Sequence, residues 1–215
     1  MAIEPQLQQQ LPSPFLSIWV KPRGTIRNII ETDPTKYVTV LAMIAGLGEA
    51  LNWASSRNLG DSIPLAVLLI LCVLLGPVGG LVSLYIGGAL YRWSGSWLGG
   101  KASSEEVRAA IAWSFVPTIF TMPLWIPELL IFGEETFTSS TPRMDANPFL
   151  AWVLIGFAVI KLIGVTWAFV VLLKTLGEVH RFSAWKAYGA LFLGSMVILV
   201  LILVILGVFI GLGSL

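Results

Sequence analysis

Five blocks of apolar residues, approximately 36–55, 63–91, 109–132, 149–173 and 189–213, constrain this chain more than any other feature. Each is long enough to cross about 30 Å of hydrocarbon at about 1.5 Å per helical residue. In lipid every backbone polar group must be satisfied within the protein, so such blocks are read as helices. The composition agrees: 56% of the 215 residues are hydrophobic and 12% are charged, where a soluble domain carries about 25% charged residues. The expected fold class is all-α: a polytopic membrane bundle of five transmembrane helices over 36–215, preceded by an N-terminal segment, 1–35.

Lys and Arg set the orientation of such a bundle. Lys21, Arg23, Arg27 and Lys36 precede the first span; Arg92, Lys101 and Arg108 separate the second and third; Lys174, Arg181 and Lys186 separate the fourth and fifth. The opposite loops hold only Arg57 and Arg143. This asymmetry predicts a cytoplasmic N-terminus and, with five spans, a C-terminus outside. Trp53, Trp125 and Trp152 fall at predicted outer ends, and Trp93, Trp97, Trp113 and Trp185 at inner ends, where indoles favour the interface. The first residues, MAIEPQLQQQLPSP, lack the basic-then-apolar order of a secretory signal peptide.

The N-terminal segment mixes Ile18, Trp19, Ile26 and Ile29 with Lys21, Arg23 and Arg27, and Pro22 and Gly24 divide it into two short pieces. Trp19, Lys21, Arg23 and Arg27 are candidates for contact with anionic membrane surface. A packed lead-in to the first span is the alternative. Ser103 and Glu106 have the spacing of a capping box and predict a helix start leading into span three. Small residues recur on helical faces, as Ala42, Gly46, Ala50 and Ala54 in span one and Gly76 and Gly80 in span two. They predict close packing within the bundle and leave a homo-oligomer open.

Two features inside the spans bear on chemistry. Pro117, Pro123 and Pro127 each remove a helical donor from span three. Lys161 places an ammonium near the middle of span four, where a charge is costly and marks a functional hypothesis. Counting residues from the cytoplasmic face puts Glu49 at a similar depth, so an intramembrane ion pair of Glu49 with Lys161 is expected, with Asn52 beside it. Glu128 is the second choice of partner, and the carbonyls freed by the prolines are the third. The pair reads as a structural pin or as a proton- or ion-linked site, and Lys161 snorkelling out alone is the third reading.

No enzyme is expected: the chain lacks a phosphate loop, a nucleophile elbow, a His-Glu-x-x-His motif and a cysteine–histidine couple. The single cysteine, Cys72, and single histidine, His180, offer no metal-ligand spacing, so no metal or cofactor is expected. Cys72 reads as a buried apolar residue and His180, between charged neighbours, as a solvated loop residue. A net charge of +1 gives no pull toward nucleic acid.

Three stretches carry a resemblance: KPRGTIRNIIETDP before span one, WLGGKASSEEVRAAIAWSFVP entering span three, and KTLGEVHRFSAWKAYGALF entering span five. In that order, with five spans, the chain resembles the Yip domain family of Ypt/Rab-interacting membrane proteins. The resemblance implies a non-enzymatic membrane adaptor or scaffold that binds partners through cytoplasmic loops and assists membrane trafficking or an envelope transport complex. The chain lacks the Asp-Leu-Tyr-Gly-Pro signature of eukaryotic members, which argues against a Rab-type GTPase partner. It is more similar to compact prokaryotic members, which implies a prokaryotic cell membrane and, as one partner class, an ABC-type exporter. By motif match, the partner-binding surface comprises Gly99, Gly100, Lys101, Arg181, Lys186, Tyr188 and Gly189, and membrane lipids are the other partners. A small transporter or channel subunit, working through Glu49, Lys161 and the proline-broken third span, is the competing reading.

Overall fold

The computed structural model describes residues 13–213, with side chains through 207; residues 1–12 of the N-terminal segment lie outside this range. Two short helices open the described chain, α1 (Pro14–Val20) and α2 (Pro22–Thr32). Each starts on a proline, which suits a first turn because that position needs no intrahelical donor. The break falls at Lys21, and Gly24 lies inside α2. The apolar faces of this pair turn inward: Ile18 and Ile26 are fully buried and Ile29 nearly so. Thr25 donates a buried hydrogen bond to the Ser17 hydroxyl at 2.9 Å and joins the two helices. The segment packs against later parts of the chain, chiefly the helices over Pro148–Val179 and Ser104–Ser114.

Among the described residues, five stretches are long and apolar enough to cross a membrane. They are α3 (Val38–Ser56), α4 (Leu65–Trp97), a broken third stretch, α9 (Pro148–Val179) and α10 (Ala184–Gly213). The third consists of α5 (Ser104–Ser114), α6 (Val116–Thr121), a 3₁₀ turn over Met122–Leu124, α7 (Trp125–Phe132) and a second 3₁₀ turn over Gly133–Phe137. A short α8 (Pro142–Ala146) precedes α9. Pro77 lies inside α4, which continues through it. The ends of α4 and α9 run past the apolar blocks into YRWSGSW and KTLGEV, because those polar residues keep helical geometry beyond the hydrocarbon-length core.

The expected capping box starts α5: the Ser103 hydroxyl accepts from the Glu106 N–H at 3.2 Å, and the Glu106 carboxylate accepts from the Ser103 N–H at 2.6 Å. The small-residue faces of α3 and α4 meet. A Cβ on Gly46 would stand 2.2 Å from the Gly76 carbonyl oxygen, and one on Gly80 would stand 2.1 Å from that of Ala42. Backbones this close exchange apolar bulk for van der Waals contact.

A second core surrounds α5, where Ala109, Ala110, Ala112 and Trp113 are fully buried. Trp113 was expected at an inner interface. Its ring instead packs near Phe15, with centroids 5.0 Å apart, and its N–H donates to the Lys36 carbonyl. Trp125, expected at the outer end, is also buried, whereas Trp53, Trp93, Trp97, Trp152 and Trp185 are exposed. Cys72 is buried, as its apolar setting predicts.

Candidate functional site

Lys161 of α9 pairs with Glu128 of α7, which corrects the expected pairing with Glu49. The side chains are 18% and 6% exposed, and the Lys161 ammonium also sits 3.6 Å from the centre of the Trp125 ring. Desolvation strengthens such cation–π contacts. Glu49 and Asn52 are exposed on α3 instead. The reason is adjacency: α3 packs chiefly on α4, while α9 packs on α5 and α6, the same span that carries Glu128. Residue counting gives depth but not neighbours. The breaks in this span are covered by protein, because Gly164 of α9 packs onto Thr121 and the Pro117 carbonyl. Thr118 and Thr121 return their hydroxyls to the carbonyls of Phe115 and Thr118, both at 2.7 Å.

The second arrangement lies where α1, α2, the C-terminal ends of α4 and α9, and the N-terminal ends of α5 and α10 meet. We call it the basic end, since most of the Lys and Arg residues lie on these elements or on the loops that join them. Both α4 and α9 stop in Schellman caps. In the first, Gly99 takes a φ of +85°, its N–H bonds the Ser96 carbonyl, and the Gly100 N–H bonds the Gly95 carbonyl at 2.9 Å. In the second, Arg181 takes a φ of +61°, its N–H bonds the Glu178 carbonyl, and the Phe182 N–H bonds the Gly177 carbonyl at 2.8 Å. This double bond pattern satisfies carbonyls that a helix end would otherwise leave open. A non-glycine residue in the left-handed region costs about 1–2 kcal/mol, so the surroundings must hold Arg181 there.

The two caps interlock through His180. The imidazole is 2% exposed and stacks on Phe182, with ring centres 5.0 Å apart and planes 2° apart. Gly95 and Gly100 form the wall it enters. Neither ring nitrogen has a hydrogen-bond partner of good geometry among the described residues. Burial lowers its pKa below the ordinary histidine value, outweighing the Tyr91 carbonyl and the Glu106 charge, which favour the proton. The expected solvated residue is thus a buried wedge: the residues that bury it lie about 80 positions earlier, beyond what local charge reveals.

Helix α2 clamps the same point. Glu178 pairs with Arg27 and with Arg23, the latter at 3.6 Å, and the Arg27 Nε donates to it at 2.7 Å. The bond and charge of Glu178 raise the Arg27 pKa. Arg23 also donates to the Phe182 carbonyl at 3.3 Å. Arg23 and Arg27, read from sequence as membrane-surface residues, therefore hold a neighbouring loop; Lys21 stays exposed, and Trp19 lies edge-on to Phe120.

Of the predicted partner-binding residues, Gly99 and Gly100 shape the first cap and Arg181 the second. Gly189 faces Leu98, so α10 closes on the first cap. Lys101, Arg181, Lys186 and Tyr188 are exposed. Sequence reasoning missed His180, Gly95, Gly177, Glu178 and Phe182; the glycine after a helical run was the available signal for the first cap. Among the described residues, no cluster of three or more His, Cys, Asp or Glu side chains could hold a metal.

The family model for the Yip1 domain matches residues 16–208. No curated protein and no solved structure matches the chain.

Proposed function

The chain belongs to the Yip1 domain family, and from that premise we propose that this integral membrane protein is a non-enzymatic adaptor. Its basic end faces the cytoplasm and presents one surface to a protein partner, with the lysine and arginine asymmetry supporting that orientation. One observation carries the reading. The three stretches that resemble the family lie far apart in sequence, yet Arg23 and Arg27, Gly100, and Glu178, His180 and Phe182 lock together. A bundle that only filled the membrane would need no such fixture outside it. Rigid loops present side chains at low entropic cost, which favours recognition. Lys101, Arg181, Lys186 and Tyr188 are the exposed groups on this frame. A membrane complex such as an ABC-type exporter in a prokaryotic cell membrane is the partner class we favour.

The test is crosslinking pull-down from native membranes, comparing the parent chain with a Lys101→Gln/Arg181→Gln/Lys186→Gln variant. The variant loses the partner while keeping its melting temperature. Equal recovery from both chains counts against this surface. A transport role has one observation in its favour, the Glu128–Lys161 pair at the broken span. It requires a pH-dependent flux that the Lys161→Met/Glu128→Gln double variant, which leaves no buried charge unpaired, abolishes.

A further inference from the structure

We propose that the groove between the C-terminal part of α4 and the start of α5 binds the phosphate headgroup of an anionic phospholipid. This groove, of about 410 Å³, is lined by Arg92, Trp93 and Ser96 from α4 and by Lys101 and Ser104 from the following loop and helix start, with Gly100 and Ala102 among its remaining walls.

Its charge is uncompensated. Arg92 and Lys101 reach it from two different elements, and neither forms an ion pair with a described residue. Other cations of this end are engaged: Arg23 and Arg27 hold Glu178, and Arg108 lies over the Tyr85 ring at 5.0 Å. The carboxylates that follow the groove in sequence are Glu105, which is exposed, and Glu106, whose oxygen accepts from the Ser103 N–H in the capping box. The Ser104 hydroxyl donates to no described acceptor, whereas Ser96 spends its proton on the Trp93 carbonyl at 2.6 Å. A guanidinium fork, an ammonium and a free hydroxyl together match a phosphate diester, with Arg engaging two oxygens and Lys acting as a point charge.

The setting favours a lipid over free phosphate. Trp93 and Trp97 pack against each other with ring centres 4.3 Å apart and stay exposed, as indoles do at headgroup level. From the groove, the exposed face of α4 continues toward the middle of the span through Tyr85, Ile86 and Val82. A headgroup in the groove can therefore lay an acyl chain along that apolar track. The ligand is then a single amphiphile, anchored by charge at one end and by hydrocarbon at the other.

The inference is independent of any protein partner, so a failed pull-down leaves it standing. Its test is native mass spectrometry of the full chain in detergent, titrated with dioctanoyl phosphatidylglycerol. The Arg92→Gln/Lys101→Gln variant binds at least about tenfold more weakly, as expected from losing charge-assisted bonds. Lys174→Gln, exposed on α9 and outside the groove, binds like the parent. Both groove side chains are exposed and carry no bond to a described residue, so an unchanged melting temperature verifies the fold. Parental affinity in the double variant overturns the site. Equal competition by inorganic phosphate at the same concentration as the lipid overturns the lipid assignment.

Discussion

A Cβ added at Gly100 would stand 2.2 Å from Nδ1 of His180, and one at Gly95 would stand 2.5 Å from its Cε1. These distances are below any normal carbon contact, so the imidazole fits only because both positions lack a side chain. Gly100→Ala should lower stability by about 1–3 kcal/mol, the usual cost of overpacking. Adding His180→Ala removes the opposing atoms, so the double variant should be more stable than the sum of the single changes predicts. Thermal unfolding in detergent measures this coupling; strict additivity would mean that the ring and the glycine do not share space. Protonation provides a second test. Burial holds the His180 pKa below its unfolded value of about 6.5. Above that value both states are neutral and the residue contributes no pH dependence. As pH falls below about 6.5 the unfolded chain takes up the proton first, so stability drops toward the depressed folded pKa. The melting temperature of the parent should fall in that window more steeply than that of His180→Gln. Parallel curves would contradict the buried wedge. The sequence shows His180 only as a lone histidine between Glu178 and Arg181, and the glycines that bury it belong to the end of α4 and the loop after it. Arg181 was equally hidden, since a positive φ at arginine follows from the cap and not from residue type.

At the scale of elements, helix periodicity disclosed more. The faces carrying Ala42 and Gly46 in α3, and Gly76 and Gly80 in α4, were readable as close-packing surfaces, and they meet each other. The capping box at Ser103 and Glu106 was readable because it is a local bond pattern. The partner of Lys161 was not, because partner choice depends on which helices adjoin. Pairing across α7 and α9 has a distinct mutational signature. Losing one member of a buried pair costs about 3–5 kcal/mol, because the other is left buried and uncompensated. Lys161→Met should therefore lower folded yield sharply. Adding Glu128→Gln should restore much of it, and adding Glu49→Gln should restore none. Rescue by the Glu49 change alone would reject the observed pairing.

For the whole molecule, the composition, the apolar blocks and the order of three motifs were enough to indicate a helical membrane protein of this family. What they concealed was why the motifs recur in one chain. The stretch around Arg23 and Arg27, the glycine loop after α4 and the Glu178–Phe182 turn read as separate cytoplasmic segments until packing joins them. They then act as one fixture, with Gly177 closing against the Arg23 guanidinium and the Phe182 carbonyl. The central claim is that this fixture, and not the opposite end, is where a protein partner binds. Site-specific photocrosslinking in native membranes tests it directly, with a benzoylphenylalanine placed at Lys186 on the basic end or at Arg143 in an opposite loop. The account predicts a reproducible protein adduct from position 186 and none from position 143. Adducts from position 143 alone would contradict it.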